Sequence, residues 1–262
     1  MFRRLLGCIF LLSTCSAFGM LIGNPDQPAL QTRSILNTKP SWWSIRTQYL
    51  DDWVYKQRFQ PEFRRSDTSH TRTFVKLSTY AGLLTLNFID RIDLYGLAGS
   101  SRMQIDKEVF TKRALCWGVG TKCLLFKWKD LSIGADLKYF ETNQKPKYFV
   151  VEDLPYNIVS DFRLHYHEIQ AAIGASYQIY MLSPYINLTY QQTKIAPTPS
   201  KVYIRFPDAN EEGELNLESV INQKPWGMAL GLSFVDNSRA TLSFEWRLFN
   251  QNAIDWNFEI RF

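Results

Sequence analysis

The chain has 262 residues, 45% of them hydrophobic and 15% aromatic, with a formal net charge of +5. Past its N-terminus it has no run of about 18 apolar residues, which excludes a helical membrane span in the mature protein but not a barrel, whose strands dilute apolar residues one in two. Without Arg3 and Arg4 the charge falls to about +3, too weak a field to argue for nucleic acid.

Residues 1–19 read as a secretory signal to be removed: Arg3 and Arg4 supply the charged start, Leu5 to Ser13 the apolar stretch, and Ala17-Phe18-Gly19 a small-x-small cleavage site. A lipoprotein reading rests on Cys15 after Leu12-Ser13-Thr14. Residues 20–42, punctuated by Pro25 and Pro28, predict an irregular lead-in lying in the periplasm.

Residues 43–262 then divide into extended segments. The first covers about 43–58, the second 74–88, the third 92–101 and the fourth 113–125. The fifth sets Leu131, Ile133, Ala135, Leu137 and Tyr139 against Ser132, Gly134, Asp136 and Lys138. The sixth sets Ile169, Ala171, Ile173, Ala175, Tyr177 and Ile179 against Glu168, Gln170 and Gln178; the seventh sets Ile186, Leu188 and Tyr190 against Asn187 and Thr189. The eighth runs from Trp226 to Phe234 and the ninth from Ala240 to Leu248, each with its apolar side chains on one parity. The tenth ends the chain: Ile254, Trp256, Phe258, Ile260 and Phe262 alternate with Asp255, Asn257, Glu259 and Arg261. A period of two with aromatics on one side is the pattern of a strand between two solvents.

The connections sort themselves. Short turns fall at 89–91, 126–130, 180–182 and 236–238, and long gaps at 59–73, 102–112, 142–162 and 196–224, alternating until the final turn near 250–252. Outer-membrane barrels have short periplasmic turns and longer extracellular loops. The fold predicted is therefore all-β, a transmembrane antiparallel up-and-down β-barrel of about ten strands, or twelve if 147–152 and 201–206 add two.

On that frame the charged residues with lumen parity are Asp136, Lys138, Glu168, Glu245, Arg247, Asp255, Glu259 and Arg261. Lining an open pore, they would set ion preference; paired across strands, they would fill the interior, as side chains do in barrels of about eight strands. The two readings that follow are a passive porin for small hydrophilic solutes and ions, and a plugged structural or adhesive barrel acting through its extracellular loops.

Cys116 and Cys123, seven residues apart on one strand, point to opposite faces and cannot bridge. His165 and His167 share the lipid-facing parity of Ile169 while Glu168 points inward, which argues against a shared catalytic or metal site. Asp208, Glu211, Glu212, Glu214 and Glu218 make an acidic loop that reads as solvated. Neither an enzyme nor a cofactor is expected.

Several segments resemble the chlamydial major outer membrane protein porins. They are Gly23-Asn24-Pro25 with Pro28 and Leu30, the stretch 84–95, Trp117 to Gly120 with 131–135, 144–147, Ser183 to Ile186, and 246–262, in collinear order. The resemblance implies a general porin, trimeric, in the bacterial outer membrane. Family members are longer, and where they carry a Cys-x-Cys pair for envelope cross-linking this chain reads Trp128-Lys129-Asp130. A terminal Phe262 behind Ile260 and Phe258 also resembles the signal by which outer-membrane proteins engage the barrel-assembly machinery.

Overall fold

The alternation read from the sequence becomes a closed wall in the computed structural model, which describes residues 22–31, 33–35, 42–62, 73–106, 108–151, 154–157, 162–205, 212–236 and 239–262. The expected signal at 1–19, Cys8, Cys15, His70, Asp208 and Glu211 lie outside the described residues. A one-turn helix, α1 (Gln27–Leu30), comes first. The strands follow as β1 (Trp43–Pro61), β2 (Thr73–Phe88), β3 (Ile92–Ile105), β4 (Val109–Thr111), β5 (Ala114–Trp128), β6 (Leu131–Gln144), β7 (Pro146–Val151) and β8 (Leu154–Asn157). The second half holds β9 (Arg163–Tyr177), β10 (Leu182–Thr198), β11 (Lys201–Arg205), β12 (Glu212–Asn216), β13 (Val220–Asn222), β14 (Trp226–Asp236), β15 (Ala240–Leu248) and β16 (Gln251–Arg261).

Ten of these build the barrel. Strands β1, β2, β3, β5, β6, β9, β10, β14, β15 and β16 pair antiparallel, each with the next, and β1 closes on β16 from Arg46 opposite Arg261 to Gln57 opposite Gln251. Residues 146–151 and 201–205 are strands, but they do not raise the barrel to twelve: each folds back in a hairpin, β7 with β8 and β11 with β12. The sixth segment stops at Tyr177, because Gln178 and Ile179 enter the turn, where the Ile179 amide donates to Leu182 O. The turn after β2 has Ile89 and Asp90 both at positive φ, 50° and 53°, the geometry of a type I′ hairpin that matches strand twist.

Strand β13 repairs an uneven rim. Strands β14, β15 and β16 have 11, 9 and 11 residues, whereas β1 and β10 have 19 and 17. Above the short trio, β13 pairs with β1 through Phe59 opposite Asn222 and with β10 through Lys194 opposite Ile221, so the wall continues on the long-loop side.

Burial is inverted relative to a water-soluble sandwich. Leu86, Leu94, Leu137, Ile173, Leu188 and Phe258 are exposed, while Asn87, Asp93, Lys138, Gln170, Asn187 and Glu259 are buried. Aromatics mark both margins of the apolar wall: Trp42, Trp43, Trp128 and Tyr180 near the short turns, and Trp117, Trp226 and Trp246 toward the long loops, with Tyr139 5.6 Å from Trp117 and Tyr190 5.1 Å from Trp226. These are the interface girdles of a membrane barrel. Replacing Ile173, half exposed in mid-strand opposite Ala135 and Leu188, with arginine is expected to cost about 2–4 kcal/mol of stability in lipid vesicles, read by urea unfolding.

Candidate functional site: an obstructed polar lumen

The lead-in differs from expectation in position and form. Two prolines do predict irregular chain, yet residues 27–30 close one helical turn, with Pro28 in its first turn where no amide hydrogen is needed. The segment is threaded into the barrel rather than lying free below it. Ile22, Asn24, Asp26, Leu30 and Gln31 are all buried, and Ile35 donates its amide to Arg261 O at 3.0 Å where the segment leaves at the short-turn end.

Wall side chains hold this segment at every level. Deepest, the amides of Ile22 and Gly23 donate to the two carboxylate oxygens of Glu245 at 3.0 and 2.8 Å. Lys122 Nζ donates to Ile22 O at 2.8 Å and to Gln27 Oε1 at 2.7 Å, and Asn187 Nδ2 donates to Gly23 O at 3.0 Å. The Asn24 amide reaches Ser183 Oγ at 2.9 Å and Ser233 Oγ at 3.1 Å. Nearer the short turns, Arg46 Nη1 donates to Gln27 O at 2.7 Å, Asn87 Nδ2 to Pro28 O at 3.1 Å, and Lys127 pairs with Asp26 at 3.0 Å. Gly134 shows how closely the segment meets the wall: a Cβ there would lie 2.4 Å from Pro25 O.

All eight charged residues chosen by parity are buried inside the barrel. The structure sorts them by depth. Glu259 and Arg261 sit at the short-turn end, where Arg46 binds Glu259 at 2.9 Å and also Asp93, and Arg261 binds Asp90 at 2.6 Å. At mid-depth Asp136 accepts from Tyr95 Oη at 2.7 Å with Lys122 3.9 Å away. Above it Arg247 binds Asp52 and lies 3.6 Å from Asp255 and 3.8 Å from Glu245, while Glu168 accepts from Tyr166 Oη at 2.5 Å. Lys138 stands in the field of Asp136, Glu168 and Glu245.

Among the described residues, four interior wall charges escaped the sequence reading: Arg46, Asp52, Asp93 and Lys122. Parity could have found Arg46 and Asp52, since both alternate with outward Thr47, Tyr49 and Trp53, but the adjacent Asp51 blurs the pattern. Lys122 precedes the apolar run Leu124-Leu125-Phe126, where a bulge between Leu124 and Phe126 resets the alternation.

Toward the long loops the interior turns apolar. Phe59, Leu77, Met103, Phe140, Phe162, Leu164 and Ile195 form one buried cluster, with Cys116 among them. Between the inserted segment and the charges lies a cavity of about 30 Å³ lined by Gln48, Thr85, Asp93, Tyr95, Lys122 and Asp136, room for more than one water.

The remaining sequence candidates lie elsewhere. Cys116 is buried inside and Cys123 half-buried on the outer face, both as free thiols. His165 and His167 face outward and Glu168 inward. Among the described residues no cluster of three or more His, Cys, Asp or Glu is placed to hold a metal.

No family model matches the chain. Across its length it is similar to the major outer membrane porin, serovar E, of Chlamydia trachomatis, 21% identical over 392 aligned positions that cover 99% of this chain and 100% of the relative. The serovar L1 porin is 24% identical over 392 positions with the same coverage. An alignment of 392 positions against 262 residues means the relatives are longer, as the motif resemblance implied. These matches support that resemblance and an outer-membrane location. Among solved structures the chain is similar to the outer membrane protease OmpT of Escherichia coli, at 8% identity and TM-score 0.40 over 84% of this chain and 96% of that one. It is also similar to the β-domain of the Bordetella autotransporter BrkA, at 8% identity and TM-score 0.46 over 85% of this chain and 99% of that one.

Proposed function

We propose that this protein is a porin-type channel of the outer membrane, passing small hydrophilic solutes and ions passively, and that its N-terminal segment keeps the channel nearly closed at rest. The observation that carries this reading is the material of the obstruction at the short-turn end. It is a separate stretch of chain held by hydrogen bonds to polar wall residues, so it can leave a polar passage behind it. The names of the longer relatives, major outer membrane porins, point the same way.

In the opened channel Asp136, Lys138, Glu168, Glu245, Arg247, Asp255, Glu259 and Arg261 set ion preference together with Arg46, Asp52, Asp93 and Lys122. Seven of these buried charges are acidic and five basic, which gives a mild preference for cations. Assembly starts from the closing strand, whose Phe258, Ile260 and Phe262 present the outward face read by the insertion machinery; the channel works as a homotrimer, as the family resemblance implies.

A second reading, a plugged barrel with a structural or adhesive role, is favoured by the apolar cluster around Phe59, Phe140 and Phe162, which no hydrophilic solute would cross without its displacement. Planar-bilayer recording separates the two. For the porin, the full-length protein gives small, infrequent steps and a variant lacking residues 22–35 gives larger and longer ones. Absence of steps from both proteins, each folded and inserted, selects the plugged barrel.

A further inference from the structure

The outer wall carries a charge asymmetry that the channel does not use. At the short-turn rim signs alternate along the chain: Asp90 with Arg91, Lys129 with Asp130, Asp236 with Arg239. On the long-loop side, just beyond the aromatic margin, four cations gather without ion-pair partners among the described residues. Lys76 on β2 and Arg102 on β3 are both exposed, and the register that sets Lys76 opposite Gln104 and Ser78 opposite Arg102 makes them diagonal neighbours. Ser101 lies opposite Ala114, which brings Arg113 alongside Arg102. Lys56 completes the group from β1, its Nζ 4.4 Å from the Phe74 ring centre.

Like charges on adjacent strands repel. Here they also stand over an apolar wall. Among the described residues no ion pair includes Lys56, Lys76, Arg102 or Arg113. The nearby acids are held by other donors: Asp51, which feels the charge of Arg113 without pairing with it, accepts from the Trp53 and Trp256 indoles, and Asp106 accepts from the Phe74 amide at 2.8 Å. Arg113 is pre-oriented, its guanidinium 4.5 Å from the Tyr80 ring centre and donating to Ser100 Oγ at 3.4 Å. An aromatic shelf at the membrane margin holds the planar group at headgroup depth, where its paired N–H groups match phosphate oxygens.

We propose that Lys56, Lys76, Arg102 and Arg113 form a binding site for the phosphate groups of an anionic glycolipid in the leaflet that faces the long loops. Charge complementarity selects this occupant: a zwitterionic headgroup would not relieve the repulsion, and the girdle beneath places the cations at the lipid surface rather than in open water.

The test uses the full-length protein in nanodiscs of phosphatidylcholine doped with bis-phosphorylated lipid A, with bound glycolipid counted by native mass spectrometry after release into detergent. Each cation near an anionic lipid surface contributes about fivefold, so Lys76→Gln, Arg102→Gln and Arg113→Gln together are expected to weaken retention on the order of a hundredfold. The charge-preserving pair Arg102→Lys and Arg113→Lys, which keeps the charge but not the stacked, paired N–H groups, should fall between the triple variant and the native protein, and neutralising Arg91, Lys129 and Arg239 on the opposite rim should leave retention unchanged. All variants are first checked for heat-modifiable mobility as proof of folding. The proposal falls if the triple variant holds glycolipid as the native protein does, if dephosphorylated lipid A binds equally, or if the opposite-rim variant loses as much. Displacement of lipid A by inorganic phosphate at equal concentration also overturns it, as that marks a site for free anions.

Discussion

Replacing Arg247 with methionine is expected to destabilise the folded barrel by about 3–5 kcal/mol, the penalty for leaving buried charges without their counter-ion. Arg247 is fully enclosed and is the cation bound to Asp52, with Asp255 at 3.6 Å and Glu245 at 3.8 Å. Its removal leaves three carboxylates facing each other out of bulk water. Methionine keeps much of the volume, so the loss reports charge rather than a void. Urea unfolding in lipid vesicles, followed by tryptophan fluorescence, measures it. Adding Asp52→Asn and Asp255→Asn to the arginine variant should restore most of the stability. A shift within about 0.5 kcal/mol for the single variant, the range of an ordinary surface change, would show that this group is hydrated and not held by pairing.

The second large effect concerns the inserted segment. Lys122→Met removes two charge-assisted hydrogen bonds to it, to Ile22 O and to Gln27 Oε1, while leaving Asp136 its Tyr95 partner. At roughly 1.5 kcal/mol each, the lower end for bonds to a charged group, their loss raises the equilibrium for release of the segment on the order of a hundredfold. Single-channel recording should show that rise as open probability, with the step size unchanged. Asn24→Ala, which removes neutral bonds to Ser183 and Ser233, should produce a smaller rise of the same kind. If Lys122→Met changes step size but not open probability, the lysine tunes the passage and does not hold the segment.

Most of the wall was legible in the sequence because its rule is local. Membrane and lumen impose two solvents on each strand, so β6, β9 and β16 display their faces over most of their length, and Asp136, Glu168 and Asp255 could be assigned inward from parity alone. Strand number followed from the alternation of turns. The lumen contents were hidden for a different reason. The segment from Ile22 to Gln31 has no periodicity of its own, and its partners Lys122, Asn187 and Glu245 are 95 or more residues away, so only the closed barrel brings them together. The apolar cluster left a fainter mark: Phe140 sits on the wet parity of β6 between Lys138 and Thr142, and Phe59 and Leu77 break parity's polar rule in β1 and β2. One such residue reads as an exception. Together they describe a second, oily compartment within the interior.

The exit of the inserted segment is stitched to β16, through Ile35 to Arg261 O and Arg261 to the Gln31 carbonyl. The seam that closes the barrel joins β1 to that same strand across about 200 residues of chain, the kind of distant pairing that forms late. Closure and occupancy are thereby coupled: the strand that completes the wall also holds the exit of the segment that fills it. A barrel whose seam has not closed therefore lacks this anchor for its segment, so protection of the interior from a water-borne label is a readout of wall closure.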